Sequence, residues 1–342
     1  MGGLLDEVYE RLRRTGPEFD GWLSNHGPMA ADALLRLGPD SEVHVHRWVD
    51  RYLERLEDAP TARCPISAGS WPEVLGDASR LGDWLAFFDR ELAERPWPDV
   101  LATWWPRLLP GAVAAATHGL IRTGHAVRAL REEETAPRVS ELAQALGYWA
   151  ARWQPVPGDM PPRGARAPGP ALDALPVLGG IGDVRRRLAD LGARPDWAPA
   201  LAGLAPVPAA EVPAALDALV DAAVVRYGRW AHGSPVMLVH AATAPRAAAL
   251  VLPSLPLDLW PPTFRAAWVT SAAITAAYRP AGALPEPPSG LDPAEATEAA
   301  VRSGDEHAVK FAEVAGESAA RGVPTAVGTA QRAAELIGRT GG

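Results

Sequence analysis

Residues 111–131 read GAVAAATHGLIRTGHAVRALR. Alanine, valine, leucine and isoleucine fall on most faces of the helix that this stretch spells. A helix that is apolar nearly all round is buried, not laid on a surface. It also carries two histidines, His118 and His125, seven residues apart. Helical geometry puts them on one side, two turns and about 10.5 Å of rise apart. The stretch predicts a helical core with something polar built into it.

The same period continues outward. PMAADALLRL at 28–37 opens on a proline suited to a first helical position and stops before Gly38. Residues 43–57 set Val43, His46, Val49, Tyr52, Leu53 and Leu56 at helical spacing, and RLGDWLAFFDRELAE at 80–94 repeats the pattern. Further helices are predicted over 138–153, 183–191, 209–230, 235–250, 263–278, 293–314 and 324–338. Convincing period-two strands are absent, and the best candidate, ALPVL at 174–178, is short and holds a proline. QPVPGDMPPRGARAPGP at 154–170 contains six prolines and reads as an extended loop, as does RPAGALPEPPSGLDP at 279–293. PVLGGIGD at 176–183 imitates a dinucleotide turn. Gly180 and Gly182 are followed by Arg185 where the third glycine belongs, so it reads as a turn into a helix capped near Asp183. The expected fold class is all-α: a multi-helix single domain with a buried metal site between helices and long Pro-rich loops. That domain is expected to span 1–342 in two halves, about 1–153 and 171–342, joined by the 154–170 loop.

Bulk properties narrow the function. The chain has 342 residues, a net charge of −8 and no basic cluster, which argues against a nucleic-acid partner. No apolar run approaches the roughly 20 residues of a membrane helix, and MGGLLDEVYERLRR has no signal-peptide core. The expected location is cytoplasmic, with no membrane partner. A single cysteine, Cys64, excludes an intramolecular disulfide framework and a thiolate-rich metal site. There is no Walker loop, no G-x-S-x-G elbow and no H-E-x-x-H.

Eight histidines remain to be explained. His44 and His46 alternate in SEVHVHRW and cannot share a helix face, so His44 is expected in solvent. His232, in WAHGSP, reads as a residue at a helix C-terminus. The other five, His26, His118, His125, His240 and His307, lie on apolar or glycine-rich backgrounds. Burying several imidazoles is costly unless their nitrogens find partners. One shared metal would satisfy them together, and imidazole-rich, thiolate-free ligation suits iron, copper or zinc. His307 shares a helical face with Lys310, the only lysine among 33 cationic residues. A lysine buried beside histidines and a metal is pushed toward its neutral form. A neutral amine can add carbon dioxide and become a carbamate, an anionic oxygen ligand that arginine cannot supply. The residues equally allow a snorkelling lysine paired with Glu306 or Glu313.

WLSNHGPMAADAL at 22–34, WWPRLLPGAVAAATHGLIRTGHAVRAL at 104–130, ELAQALGYWAARWQPVP at 141–157, VMLVHAATAPRAA at 236–248 and DEHAVKFAEVA at 305–315 together resemble the questin oxidase-like proteins. The resemblance runs from about residue 20 to 316. It implies a helical oxygenase that cleaves a ring C–C bond of an anthraquinone-like aromatic polyketide, a Baeyer–Villiger-type reaction. It further implies O2 as oxidant, non-haem Fe(2+), CO2 as the lysine carbamate, and NADPH as an external reductant where one is needed. His26, His118, His125, His240 and His307 become ligand candidates and Lys310 the carbamate candidate. Four histidines and the carbamate make a usual count, leaving His125 or His26 outside it. Lys310, His307 and Arg122 are the candidate catalytic residues, with Arg122 either orienting a phenolate or serving as an ordinary ion pair. Trp104, Trp105, Trp149, Trp153 and Trp230 are candidate walls for a small polycyclic aromatic substrate, or else helix-packing bulk. Two other readings stay open: a carboxylated-lysine metal hydrolase, and a non-catalytic helical protein that binds an aromatic polyketide.

Overall fold

The computed structural model describes residues 2–38, 41–179 and 182–339. The chain divides into two units, Met1–Pro155 with Leu250–Leu259, and Val156–Ala249 with Trp260–Gly342. The first break between them falls inside the proline-rich 154–170 segment, and Leu250–Leu259, which includes the last two residues of the helix His240–Val251, returns to the first unit. The first unit holds α1 (Gly2–Leu12), a hairpin of β1 (Glu18–Phe19) and β2 (Leu23–Ser24), α2 (Gly27–Leu34), α3 (Ser41–Leu53), α4 (Trp71–Val74), α5 (Leu81–Glu94), α6 (Trp97–Leu108), α7 (His118–Glu132) and α8 (Ala136–Arg152). α8 lies along both α5 and α7. Its approach to α7 depends on Gly119, where a Cβ would stand 2.7 Å from Trp149 Cβ.

The continuous helix expected over 111–131 is not what forms. α7 starts at His118, and Ala115, Ala116 and Thr117 before it adopt left-handed φ values of 47°, 54° and 76°. The cause is tertiary. The Gly111 carbonyl, which a continuing helix would use, accepts the Trp149 indole N–H at 3.0 Å. The Trp153 ring lies over Gly111 as well. Local alanine propensity yields to these contacts, at a cost of about 1–2 kcal/mol for each left-handed residue that carries a Cβ.

The second unit holds α9 (Pro168–Asp173), α10 (Val184–Gly192), α11 (Trp197–Ala202), α12 (Val212–Trp230), α13 (Pro235–Leu238), α14 (His240–Val251), α15 (Trp260–Tyr278), α16 (Pro293–Ser303), α17 (Glu306–Ala320) and α18 (Ala326–Gly338). α16 and α17 lie against α18, and α12 meets α15, α17 and α18. The expected 293–314 helix is broken in two. Gly304, at φ 66°, ends α16, and the Asp305 side chain caps α17 by accepting from the His307 and Ala308 N–H groups. ALPVL forms no strand; Leu178 N–H instead donates to the Ala276 carbonyl at 3.0 Å. Asp183 caps α10 as expected, accepting from Arg186 N–H at 2.8 Å, while Gly180 lies outside the described residues.

The expectation that no stretch is apolar enough for a membrane span needs correcting. Pro235–Ser254 is 20 residues long and holds an 18-residue window of mean hydropathy 1.4, but 72% of that window is buried within the protein. Its apolar character is that of a core helix.

The left-handed turn yields a test. Ala116→Gly removes the Cβ penalty, worth about 1–2 kcal/mol, and adds a chain-entropy cost of about 0.5–1 kcal/mol. Urea unfolding should show the variant more stable by about 0.5–1 kcal/mol. A less stable variant would show that the turn carries no such strain.

Candidate functional site

The first unit builds a histidine pair at the start of α2 and α7. His26 and His118 are both buried, and their ring centroids are 4.3 Å apart at an interplanar angle of 62°. The His26 backbone N–H donates to Tyr52 Oη at 2.7 Å. His118 Nδ1 stands 2.5 Å from the Ala115 carbonyl and 2.9 Å from Ser24 Oγ. A carbonyl can only accept, so Nδ1 carries the proton and Nε2 keeps its lone pair. The left-handed turn is what brings that carbonyl to the ring, so the strained backbone sits where it orients a functional group.

His125 has a different neighbourhood from His118, although both lie on α7. Its Nδ1 is 2.8 Å from Asp32 Oδ2. Asp32 is 1% exposed and also accepts from Arg128 Nε at 3.0 Å and from Arg36 Nη2 at 3.1 Å. Burial works against its charge, but Arg128, the His125 hydrogen bond and Arg36 outweigh it and hold the carboxyl well below the usual carboxylate range. His125 therefore belongs to a buried ionic cluster, while His118 faces His26. Arg122 is likewise committed. Its Nε and Nη2 donate to Glu141 Oε1 and Oε2 at 2.5 and 2.8 Å, a buried bidentate pair. Of its two expected roles, the ion pair is the one on view.

The second unit builds another pair. His240 opens α14, and its Nδ1 is 3.0 Å from the Met237 carbonyl. His307 lies in the first turn of α17, with Nδ1 3.2 Å from Asp305 Oδ1. Both geometries again place the proton on Nδ1. The two ring centroids are 5.4 Å apart. An Arg246–Glu317 ion pair ties α14 to α17 and keeps the pair together. Burial, then the charges of His307 and Lys310, push the His240 imidazole well below its ordinary value, so it is neutral. Lys310, one turn beyond His307, is 2% exposed. Burial pushes its amine down to about 8 against the opposing pull of Glu306 and Asp305.

The remaining candidates have other surroundings. His44 and His232 are exposed, and His46 faces Glu7 at 3.9 Å. Trp104 sits in a cluster with Trp71, Trp84, Phe87 and Phe88, under the Arg107 guanidinium. Trp105 and Trp149 meet edge to face at 5.4 Å. Trp153 covers Gly111, and Trp230 lies beneath Arg279. Each of the five rings meets protein neighbours. Sequence reasoning missed Asp32, Ser24 and Tyr148. Asp32 had a signal, being a lone carboxylate in the apolar helix GPMAADAL.

What the fold and these side chains define is a helical protein with buried, tautomer-fixed imidazoles and a buried lysine of lowered basicity. Residues 23–157 match the family model described as Questin oxidase-like. The match covers His26, His118, His125 and Arg122; His240, His307 and Lys310 lie outside it. The family name implies oxidase chemistry at the level of the family. No curated protein matches the chain.

The ionic cluster predicts a stability effect. Asp32→Asn leaves the buried Arg128 guanidinium, and the more exposed Arg36, short of charge and should cost about 3 kcal/mol in urea unfolding. Because the folded carboxyl titrates below its unfolded value, its contribution is fully present above the ordinary carboxylate pKa. It is lost as pH falls through the lowered folded value. The gap between wild type and Asp32→Asn should therefore close in acid. A gap independent of pH would disprove the assignment.

Proposed function

We propose that the protein is an oxygenase that cleaves a ring C–C bond of an anthraquinone-like aromatic polyketide. In this reading the oxidant is O2 and the metal a mononuclear non-haem iron. The candidate ligands are His26 and His118 in the first unit and, in the second, His240, His307 and Lys310 as a carbamate. NADPH serves as an external reductant where the substrate does not supply the electrons. The observation that carries the reading is the shared tautomer. His118, His240 and His307 each spend Nδ1–H on a carbonyl or carboxylate, which leaves Nε2 as the donor atom. Metal-bound histidines are held in the same way. His125 falls outside the ligand count because its carboxylate partner, Asp32, is shared with the Arg128 and Arg36 guanidinium groups, whose positive charge disfavours a cation there.

The donor set fits iron: borderline imidazoles with an anionic oxygen and no thiolate. Bound iron would supply the activation of dioxygen. The chain's own residues do the rest. With its amine at about 8, Lys310 is unprotonated in about a tenth of molecules at pH 7. Nζ then forms a bond to the carbon of CO2 and releases one proton, leaving an anionic carboxyl group on the lysine arm. Asp305 accepts from the His307 ring and the backbone at once, fixing ring and helix start together. Arginine, unable to deprotonate, could not take the Lys310 position.

Metal analysis of protein purified without a histidine tag tests this. About one iron per chain is expected. Two zinc ions and no iron would favour the hydrolase reading and overturn the oxygenase. Lys310→Arg should lose at least 10-fold in iron affinity while its circular dichroism stays helical. Retention of iron and turnover by that variant would remove Lys310 from the ligand set.

A further inference from the structure

The hairpin that precedes α2 has a task that its size does not suggest. β1 and β2 pair Glu18 with Ser24. Glu18 receives a bidentate pair from Arg152 on α8, at 2.5 and 2.6 Å. One turn earlier on α8, Tyr148 Oη lies 2.5 Å from Ser24 Oγ. Two anchors therefore hold the hairpin on α8 and set Ser24 at 2.9 Å from His118 Nδ1. All of these groups belong to the first unit. Ser24 is 7% exposed and Tyr148 1%, so solvent does not compete for either hydroxyl. Burial also holds the Tyr148 hydroxyl above its usual pKa, which keeps it a neutral phenol.

We propose that Ser24 and Tyr148 are positioning residues that clamp the His118 ring as its Nδ1–H tautomer, with Nε2 presented as the ligand atom. The inference rests on the reading of His118 as a metal ligand. The proton order is determined by the groups present. Nδ1–H is shared between the Ala115 carbonyl and Ser24 Oγ, and Ser24 passes its own hydroxyl proton toward Tyr148 Oη. The carbonyl lies on a strained turn and holds the ring from one direction. With the hydroxyl as well, the ring plane is fixed from two directions. Histidine ligands that lose such an outer hydrogen bond typically lose about 10–100-fold in metal affinity.

The test combines two readouts on the full chain. Nitrogen-15 NMR of the metal-free protein should show His118 as Nδ1–H in the wild type. Ser24→Ala and Tyr148→Phe should each shift and broaden the His118 ring-nitrogen signals as the ring loses its second hold, and Ser24→Thr, which keeps the hydroxyl, should restore the wild-type pattern. Titration with Co(II) should show Ser24→Ala and Tyr148→Phe weaker by about 10–100-fold, with Ser24→Thr near the wild type. Tyr148→Phe keeps the ring and decides the matter if Ser24→Ala does not fold. Unchanged ring-nitrogen signals in both variants, or an Nε2–H ring in the wild type, would overturn the proposal whatever the metal result. A wild type that shows the expected tautomers but binds neither Co(II) nor iron would instead overturn the functional reading while leaving the clamp standing.

Discussion

A buried imidazole must account for its one proton. In water either nitrogen can carry it, and the tautomers exchange freely. Inside a protein each nitrogen needs a partner of matching polarity, or desolvation is left uncompensated. Here the Nδ1 positions of His118, His240, His307 and His125 all face oxygen acceptors: two backbone carbonyls and two carboxylates. That one constraint arranges much around it. It explains why Asp305 caps α17 as well as facing a ring, and why a carboxylate sits inside α2. It also accounts for three left-handed residues standing immediately before α7.

The left-handed turn shows the constraint overriding local preference. Alanine is the best helix former, and three alanines followed by threonine would ordinarily continue a helix. The chain instead leaves the helical basin at Ala115. Trp149, 38 residues away, supplies the reason by taking the Gly111 carbonyl. What is gained is a carbonyl oxygen aimed at His118. Strain of this kind persists where surrounding packing over-determines it. The buried rings of Trp105 and Trp149, and Trp153 lying over Gly111, provide that packing.

How much of this was legible can be judged residue by residue. The helices were legible because apolar residues recur with a 3.6 period, and α5, α8, α12, α15 and α18 appear close to where the pattern put them. Their breaks were less so. Gly304–Asp305 was readable in principle, since a glycine C-cap and an aspartate N-cap stand side by side there, but the apolar spacing runs on through them. The break at Ala115 was not readable, because its cause is a contact distant in sequence. The hairpin was invisible for a different reason: strands of two residues are too short to show alternation. The five histidines were correctly separated from the exposed ones by their apolar background. That His125 stands apart depended on Asp32, whose partners a linear reading does not reveal.

The matched segment, 23–157, ends before the residue that most distinguishes this chain. Lys310 must therefore be argued on its own physics. An arginine-rich chain that keeps one lysine has placed it at 2% exposure, one turn from a buried histidine. A snorkelling lysine would carry its amine to water and stay close to its ordinary basicity. This amine is instead pushed down to about 8 by burial, despite two nearby carboxylates pulling the other way. That direction is the one the proposed carbamate would need. A lysine kept for an ion pair gains basicity from its partners, whereas one kept for carbamate chemistry must lose it.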